Sequence, residues 1–174
     1  MINFTVNGAA LVADPSGAIY WPDRGLVVVS DLHFEKASAY AARGVPLPPY
    51  DTAATLDRLT AVLDRHRPER VISLGDSFHD QDAPHRVPLE ALERIRGLAA
   101  AYDWIWITGN HDPAPDLAWG GRSMAEMVLG PLVFRHEAAA GPGIGEVSGH
   151  YHPKARVRLR GRSASGKCFV TDGV

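Results

Sequence analysis

Cysteine is nearly absent from this chain. A single residue, Cys168, among 174 excludes an internal disulfide and any thiolate-rich zinc site, and a reducing compartment is the expectation. No apolar run is longer than a strand requires, so no segment is expected to span a membrane. The first residues, Met1-Ile2-Asn3-Phe4-Thr5, have neither a basic stretch nor an apolar core of signal-peptide length, which points to a cytoplasmic location. There is no internal repeat and no low-complexity tract. An excess of charge of one sign is lacking too: the net value of −2 gives no global attraction to nucleic acid. What the chain does have is 45% hydrophobic residues, enough for one domain over residues 1–174 with a core of its own. Locally the charge is uneven: from Lys154 to Lys167 there are six basic residues and no acidic one.

Read along its length, the chain alternates. Residues 3–21 form a hairpin, Leu11-Val12-Ala13 and Ala18-Ile19-Tyr20-Trp21 flanking the turn Asp14-Pro15-Ser16-Gly17. Leu26–Ser30 is a strand. Residues 34–49 hold a short helical piece and then Gly44-Val45-Pro46-Leu47-Pro48-Pro49, which cannot be helix. Asp51 or Thr52 caps a helix that runs to about His66, with Leu56, Leu59 and Leu63 on one face, and Pro68 ends it. Val71–Leu74 is a buried strand. A second helix runs from Pro88 to Ala101 with Leu89, Leu92 and Ile95 as its apolar stripe, and the Trp104–Thr108 strand follows, its two tryptophans in the core. Such βαβαβ alternation predicts a parallel or mixed sheet with helices outside. Residues 113–125 read as a loop or short helix. Strands near 128–136, 145–149, 155–160 and 167–171 then form a second sheet packed on the first. In one of them Arg156, Arg158 and Arg160 alternate with Ala155, Val157 and Leu159, a pattern with one buried and one basic face. The basic face either protects an edge from aggregation or meets DNA. His66, at a helix C-terminus, suits the dipole, and His85 is a surface loop residue.

Five strand ends deliver Asp, His or Asn: Asp31-Leu32-His33, Gly75-Asp76, Gly109-Asn110-His111-Asp112, His136 and Gly149-His150-Tyr151-His152. In open α/β sheets that edge is where ligands bind. Metal-assisted hydrolysis of a phosphate ester needs N and O ligands that hold two divalent ions about 3.5–4 Å apart. Aspartate bridges two cations with its two oxygens, and Asp76 is the residue expected to do so. Histidine supplies neutral nitrogen donors and asparagine a neutral oxygen. Two divalent ions, two aspartates and a bridging hydroxide leave such a site positive by about one unit, which attracts a phosphate anion. The mixed ligand set fits Mn, Fe or Zn better than Mg or Ca.

The order Asp-x-His, Gly-Asp, Gly-Asn-His-Asp, a lone His and Gly-His-x-His resembles the calcineurin-like metallophosphoesterase superfamily, over most of the chain from Asp31 to His152. The resemblance implies a four-layer α/β/β/α sandwich, two mixed sheets flanked by helices. It implies one metal on Asp31, His33, Asp76 and His152 and another on Asp76, Asn110, His136 and His150, with Mn as the first choice. Gly75-Asp76-Ser77-Phe78-His79 is similar to the Gly-Asp-x-Phe-His form of the DNA double-strand-break repair nuclease branch, in which the extra histidine, here His79, lies by the reactive centre. Ser30-Asp31-Leu32-His33-Phe34-Glu35-Lys36 and Arg43-Gly44-Val45-Pro46-Leu47-Pro48 are similar to the bacterial ligase-associated DNA damage response endonucleases. Phe34 and Ser77 depart from the usual pattern, though neither is a ligand. Against that family the chain lacks a final C-terminal strand.

The reading is a two-metal phosphodiesterase, with in-line attack on phosphorus by a metal-bridging hydroxide. Adjacent side chains diverge, so His111, next to Asn110, is expected to face the phosphate as the acid that assists the leaving oxygen, with Asp112 orienting or supporting it. The expected substrate is a phosphodiester, DNA in repair, with functional association to a DNA ligase and other repair enzymes. A phosphatase or phosphodiesterase for small nucleotides is the alternative, and a non-catalytic metal-binding scaffold ranks last because every ligand and His111 are present.

Overall fold

A computed structural model describes residues 1–114, 117–141 and 143–172, with Leu117 described by its backbone alone. The N-terminal segment is a three-stranded antiparallel meander, β1 (Ile2–Val6), β2 (Ala9–Ala13) and β3 (Ile19–Trp21). The first strand was not expected as such. Asn7-Gly8 makes its turn with φ of 44° and 80°, the left-handed pair that Asn-Gly adopts in two-residue hairpins. From β3 the sheet continues through β4 (Leu26–Val29), antiparallel to β3. The helices α1 (Lys36–Ala42) and α2 (Asp51–His66) intervene before β5 (Arg70–Leu74). Helix α3 (Leu89–Ala101) precedes β6 (Asp103–Ile107), and β7 (Arg122–Met124) completes seven strands in sequence order. Strands β4 to β7 are parallel, so the sheet is mixed.

Alternation along the central strands builds two cores. Val27, Val29, Val71, Trp104 and Trp106 face the helices and meet Leu56, Leu59, Val62 and Leu63 of α2 and Ile95 of α3. Leu26, Val28, Ile72, Leu74, Ile105 and Ile107 face the other way, against a second sheet. That sheet holds β8 (Glu126–Leu129), β9 (Leu132–Arg135) and β10 (Glu146–Ser148) in the order β10-β9-β8. Its inner face supplies Leu132, Phe134 and Val147. Its outer face carries Glu126–Arg135 and Arg135–Glu146 ion pairs across three neighbouring strands. The fold class is therefore as expected, a large mixed sheet flanked by helices with a second sheet behind it. No α-helix among the described residues covers the outer face of the small sheet, and a charged, paired face needs none.

Several local expectations change. Asp51 and Thr52 do not cap α2, whose N-cap is Tyr50 with no side-chain hydrogen bond. They tie down α1 instead: Asp51 accepts from the Ala37 N–H (2.9 Å), and the Thr52 hydroxyl accepts from the Glu35 N–H (2.8 Å) while donating to the Glu35 carboxylate (3.0 Å). The stripe of α3 is Ala91, Ile95 and Ala99 with Leu92 partly buried, whereas Leu89, in the first turn, is exposed. In the segment 113–125, of which 115 and 116 lie outside the described residues, the expected short helix is a single 3-10 turn at Leu117–Trp119, and β7 follows it. The strand expected over 128–136 is broken by Gly130-Pro131 into the β8–β9 hairpin. The pattern at 155–160 has no buried face: β11 (Lys154–Leu159) pairs only with β12 (Arg162–Lys167), and all twelve residues are exposed. Of the strand expected over 167–171, residues 168–171 have no regular structure.

Candidate metal centre

The loops after β4 and β5 do not separate when the strands end. Asp31 N–H donates to Gly75 O, His33 N–H to Asp76 O, Phe34 N–H to Ser77 O and His79 N–H to Phe34 O, at 2.8–3.2 Å. Phe34 and Phe78 form an isolated parallel bridge and pack with ring centroids 5.5 Å apart, and Phe78 also meets Trp106 and Trp119. Phe34 thus has a partner that an aliphatic residue would serve less well. Ser77 is buried with its hydroxyl 2.8 Å from that of Ser73.

Along these curled ends Asp31, His33, Asp76, His150 and His152 hold left-handed backbones, φ 44–69°. Each costs about 1 kcal/mol or more for a residue with a Cβ, least for Asp, Asn and His. The curl lets residues two apart aim at one point. Asp31, His33 and His152 present ligand atoms within 4.8 Å of one another, and so do Asp76, His136 and His150. Asn110 belongs with the second group: its Oδ1 is 2.9 Å from His136 Nε2 and 3.0 Å from His150 Nδ1. The structure therefore brings together all seven expected ligands in two adjoining sets. His150 N–H reaches both oxygens of Asp31 at 3.2 Å, which joins one set to the other.

Tautomers follow from the partners. Leu74 O accepts from His136 Nδ1–H at 2.8 Å, which turns Nε2 towards Asn110 Oδ1, His150 Nδ1 (3.1 Å) and Asp76 Oδ1 (3.4 Å), where it carries a proton or faces a metal ion. Electron-rich atoms that converge so closely call for a cation. Burial opposes a charge on His136, yet the Asp76 carboxylate and the Leu74 carbonyl outweigh it and raise the imidazole to about 8. Asp76 itself is pushed up by burial but pulled further down by His136 and the His111 N–H, so it stays ionised. At His33 burial dominates and lowers the imidazole to about 4, a neutral ligand at neutral pH. The donor set of carboxylate, imidazole and amide oxygen fits divalent ions of the Mn, Fe or Zn type.

The expected catalytic residues lie beside these sets. His111 donates from Nδ1 to the His79 carbonyl at 2.5 Å, which leaves its Nε2 facing Asp76 Oδ2 at 3.9 Å. The His79 ring sits 5.3 Å from both His33 and His111, and these three residues also present ligand atoms within 4.8 Å of one another. Among the described residues His33 Nδ1 and His79 Nδ1 are buried without a hydrogen-bond partner. Asp112 does not orient His111. Its carboxylate accepts from the N–H groups of Asp76, Ser77, Phe78 and Gly109 at 2.7–3.2 Å and so clamps the turn that presents Asp76. Burial pushes its carboxyl up to about 6, with the Asp76 charge adding, in spite of those bonds.

The match to a family model, "Calcineurin-like phosphoesterase", covers residues 25–160. The chain belongs to this family. The resemblance carried by its motifs is thereby borne out. Among solved structures, the phosphoesterase is similar to one entitled "Crystal structure of Pseudomonas putida nuclease MPE", with 33% identity, 99% of this chain and 82% of that chain covered, and a TM-score of 0.79. No curated protein matches the phosphoesterase in sequence. Sequence reasoning missed three supports of its centre. Ser30 donates its hydroxyl to Asp31 Oδ2 at 2.5 Å, and nothing in a strand-terminal serine signals that. Gly149 and Gly109 did carry a signal, a glycine just before a ligand. A Cβ on Gly149 would collide with Ser30 Oγ, and one on Gly109 with the Asp76 backbone N and Oδ1.

Proposed function

We propose that this phosphoesterase hydrolyses phosphodiester bonds in nucleic acid with a pair of divalent ions. Asp31, His33, Asp76 and His152 would hold one, and Asp76, Asn110, His136 and His150 the other. Bound there, the ions supply Lewis acidity towards the phosphoryl oxygens and acidify water. The remaining work belongs to side chains. His111, fixed through Nδ1 by the His79 carbonyl, would in its imidazolium form carry a second proton on Nε2 beside Asp76, give that proton to the departing oxygen and be left neutral. His79 fixes that imidazole and flanks it. Asp112 is a positioning residue that keeps the Asp76 turn in place through four backbone amides.

The observation that supports this reading best is the His111 ring, held by the His79 carbonyl with Nε2 3.9 Å from Asp76 Oδ2, beside two adjoining sets of ligand atoms. A scaffold would have no use for an imidazole held in that way. The solved structure similar to this one is titled a nuclease, which supports a nucleic-acid diester over a small nucleotide. The motif resemblance supports manganese as the ion and a role in DNA repair beside a DNA ligase.

Reconstitution with Mn and side-by-side turnover of a small phosphodiester, a phosphomonoester and single-stranded DNA tests the proposal. Diester and DNA hydrolysis that exceed monoester hydrolysis, and that a chelator abolishes, are expected. Faster monoester turnover, or none on any diester, contradicts it.

A further inference from the structure

Strands β11 and β12 begin two residues after His152, and the Cys168 N–H donates to Pro153 O at 3.1 Å, closing the base of the hairpin at the rim of the metal centre. Register sorts its side chains. Residues directly opposite share a face in an antiparallel pair, and successive residues alternate. Lys154 lies opposite Lys167, Arg156 opposite Ser165 and Arg158 opposite Ser163, so one face carries four cations and two hydroxyls. Arg160, expected on the basic face, is in the turn with φ 49°.

Two features set this face apart. Among the described residues six arginines outside the hairpin pair with carboxylates, Arg65 with Asp14, Arg70 and Arg122 with Asp103, Arg86 with Asp80, Arg94 with Asp57 and Arg135 with Glu126, and the arginines that do not are not gathered on one face with other unpaired cations. Among the described residues no ion pair joins Lys154, Arg156, Arg158 or Lys167 to a carboxylate, and all four are exposed. In addition, Lys154 and Lys167 are like charges directly opposite each other, an arrangement that destabilises a hairpin. Both strands of this two-stranded sheet have an open edge, which charge protects, but edge protection does not call for two lysines placed face to face, since one would serve. An anion between the two lysines turns the repulsion into attraction. Lysine, arginine and serine are also side chains that bind nucleic-acid phosphates.

We infer that the basic face of β11–β12 is a docking surface for the phosphate backbone of a polynucleotide whose scissile diester lies in the metal centre. The inference rests on the proposed diesterase function and adds the polymer to it. A six-residue strand spans about 20 Å, the rise of roughly six nucleotides in a duplex strand. The face therefore serves a chain of several nucleotides and gives nothing to a small diester.

The test uses the intact Mn-loaded protein, Arg156→Gln/Arg158→Gln, and Ser163→Glu/Ser165→Glu, which keeps both arginines and gives them acidic partners. Binding of a fluorescent 20-nucleotide single strand is read by anisotropy across a salt series, with turnover of bis(p-nitrophenyl) phosphate measured on the same samples. Both variants are expected to bind the strand more weakly. For the arginine variant the slope of log affinity against log salt should flatten by about 0.7 for each phosphate that is no longer neutralised. Turnover of the small diester should be unchanged in both. Equal affinity and slope in all three proteins overturn the inference, as does a parallel loss of small-diester turnover. If the unsubstituted protein turns over no diester, the functional proposal fails, and the binding series still decides the docking surface.

Discussion

Asn110 and His111 are neighbours in sequence and are set apart by what fixes them. Asn110 Oδ1 points at His136 and His150, while the His111 ring is held by the His79 carbonyl. His111→Asn is expected to keep its bound metal and its fold while losing turnover by about 10²–10⁴-fold, the usual worth of a general acid. The loss should be larger for an alkoxide leaving group than for nitrophenolate, which needs no proton, and excess Mn should not restore it. Asn110→Ala should instead lose metal affinity, and excess Mn should recover part of its rate. Steady-state kinetics on the two leaving groups across a metal titration separate these outcomes. Gly149→Ala makes a further prediction. Its Cβ would meet Ser30 Oγ and come within 2.9 Å of Asp31 Oδ2, so metal content should fall while far-UV circular dichroism stays native. Most of the ligands were legible in the sequence because they follow an apolar run, whereas His150 and His152, after Glu146-Val147-Ser148-Gly149, were legible from the order of the motifs. Asp112 was picked out too, as a support for His111, but its work on the backbone of another loop, 34 to 36 residues away, has no local pattern to record it.

The central strands β4, β5 and β6 were legible because β-branched and aromatic residues buried on both faces make continuous apolar runs. The start of α2 was misread for a physical reason. Asp and Thr at a helix start suit a cap, but here the same side chains have a tertiary use at α1. Another link between elements is at Asp14, in the turn between β2 and β3, which accepts from Arg65 Nη1 at 2.7 Å and lies 2.9 Å from His66 Nε2, both at the end of α2. His66 also stacks on Tyr20, at 4.5 Å, so it holds the meander and does more than suit the dipole. Burial pushes the Asp14 carboxyl up, but Ser16, Arg65 and His66 pull it down further, well below the usual range. A depressed carboxylate stabilises the fold above its unfolded pKa, about 3.9, and that contribution fades as pH falls towards the folded value. Asp14→Asn should therefore cost about 1–2 kcal/mol at neutral pH. The gap between the two proteins should narrow below about pH 4, as read by urea unfolding at each pH.

At the scale of the whole molecule, two sheets converge their strand ends on one edge. β4, β5 and β6 of the large sheet bring Asp31, His33, Asp76 and Asn110, and β9 and β10 of the small sheet bring His136, His150 and His152. Neither sheet holds a complete set, since His152 sits with Asp31 and His33, and His136 and His150 sit with Asp76. The motif order made that convergence readable before the fold was known. The small sheet's division into β8 and β9 did have a local signal, the Gly130-Pro131 turn, whereas the independence of β11–β12 was not readable, because whether a hairpin docks on another sheet is decided by distant segments. The central claim is that two ions share Asp76, and anomalous scattering from Mn-soaked crystals tests it most directly. Two peaks about 3.5–4 Å apart, flanking the Asp76 carboxylate, are predicted. A single peak, or a peak centred on His33, His79 and His111 in place of one beside Asp76, would contradict the account.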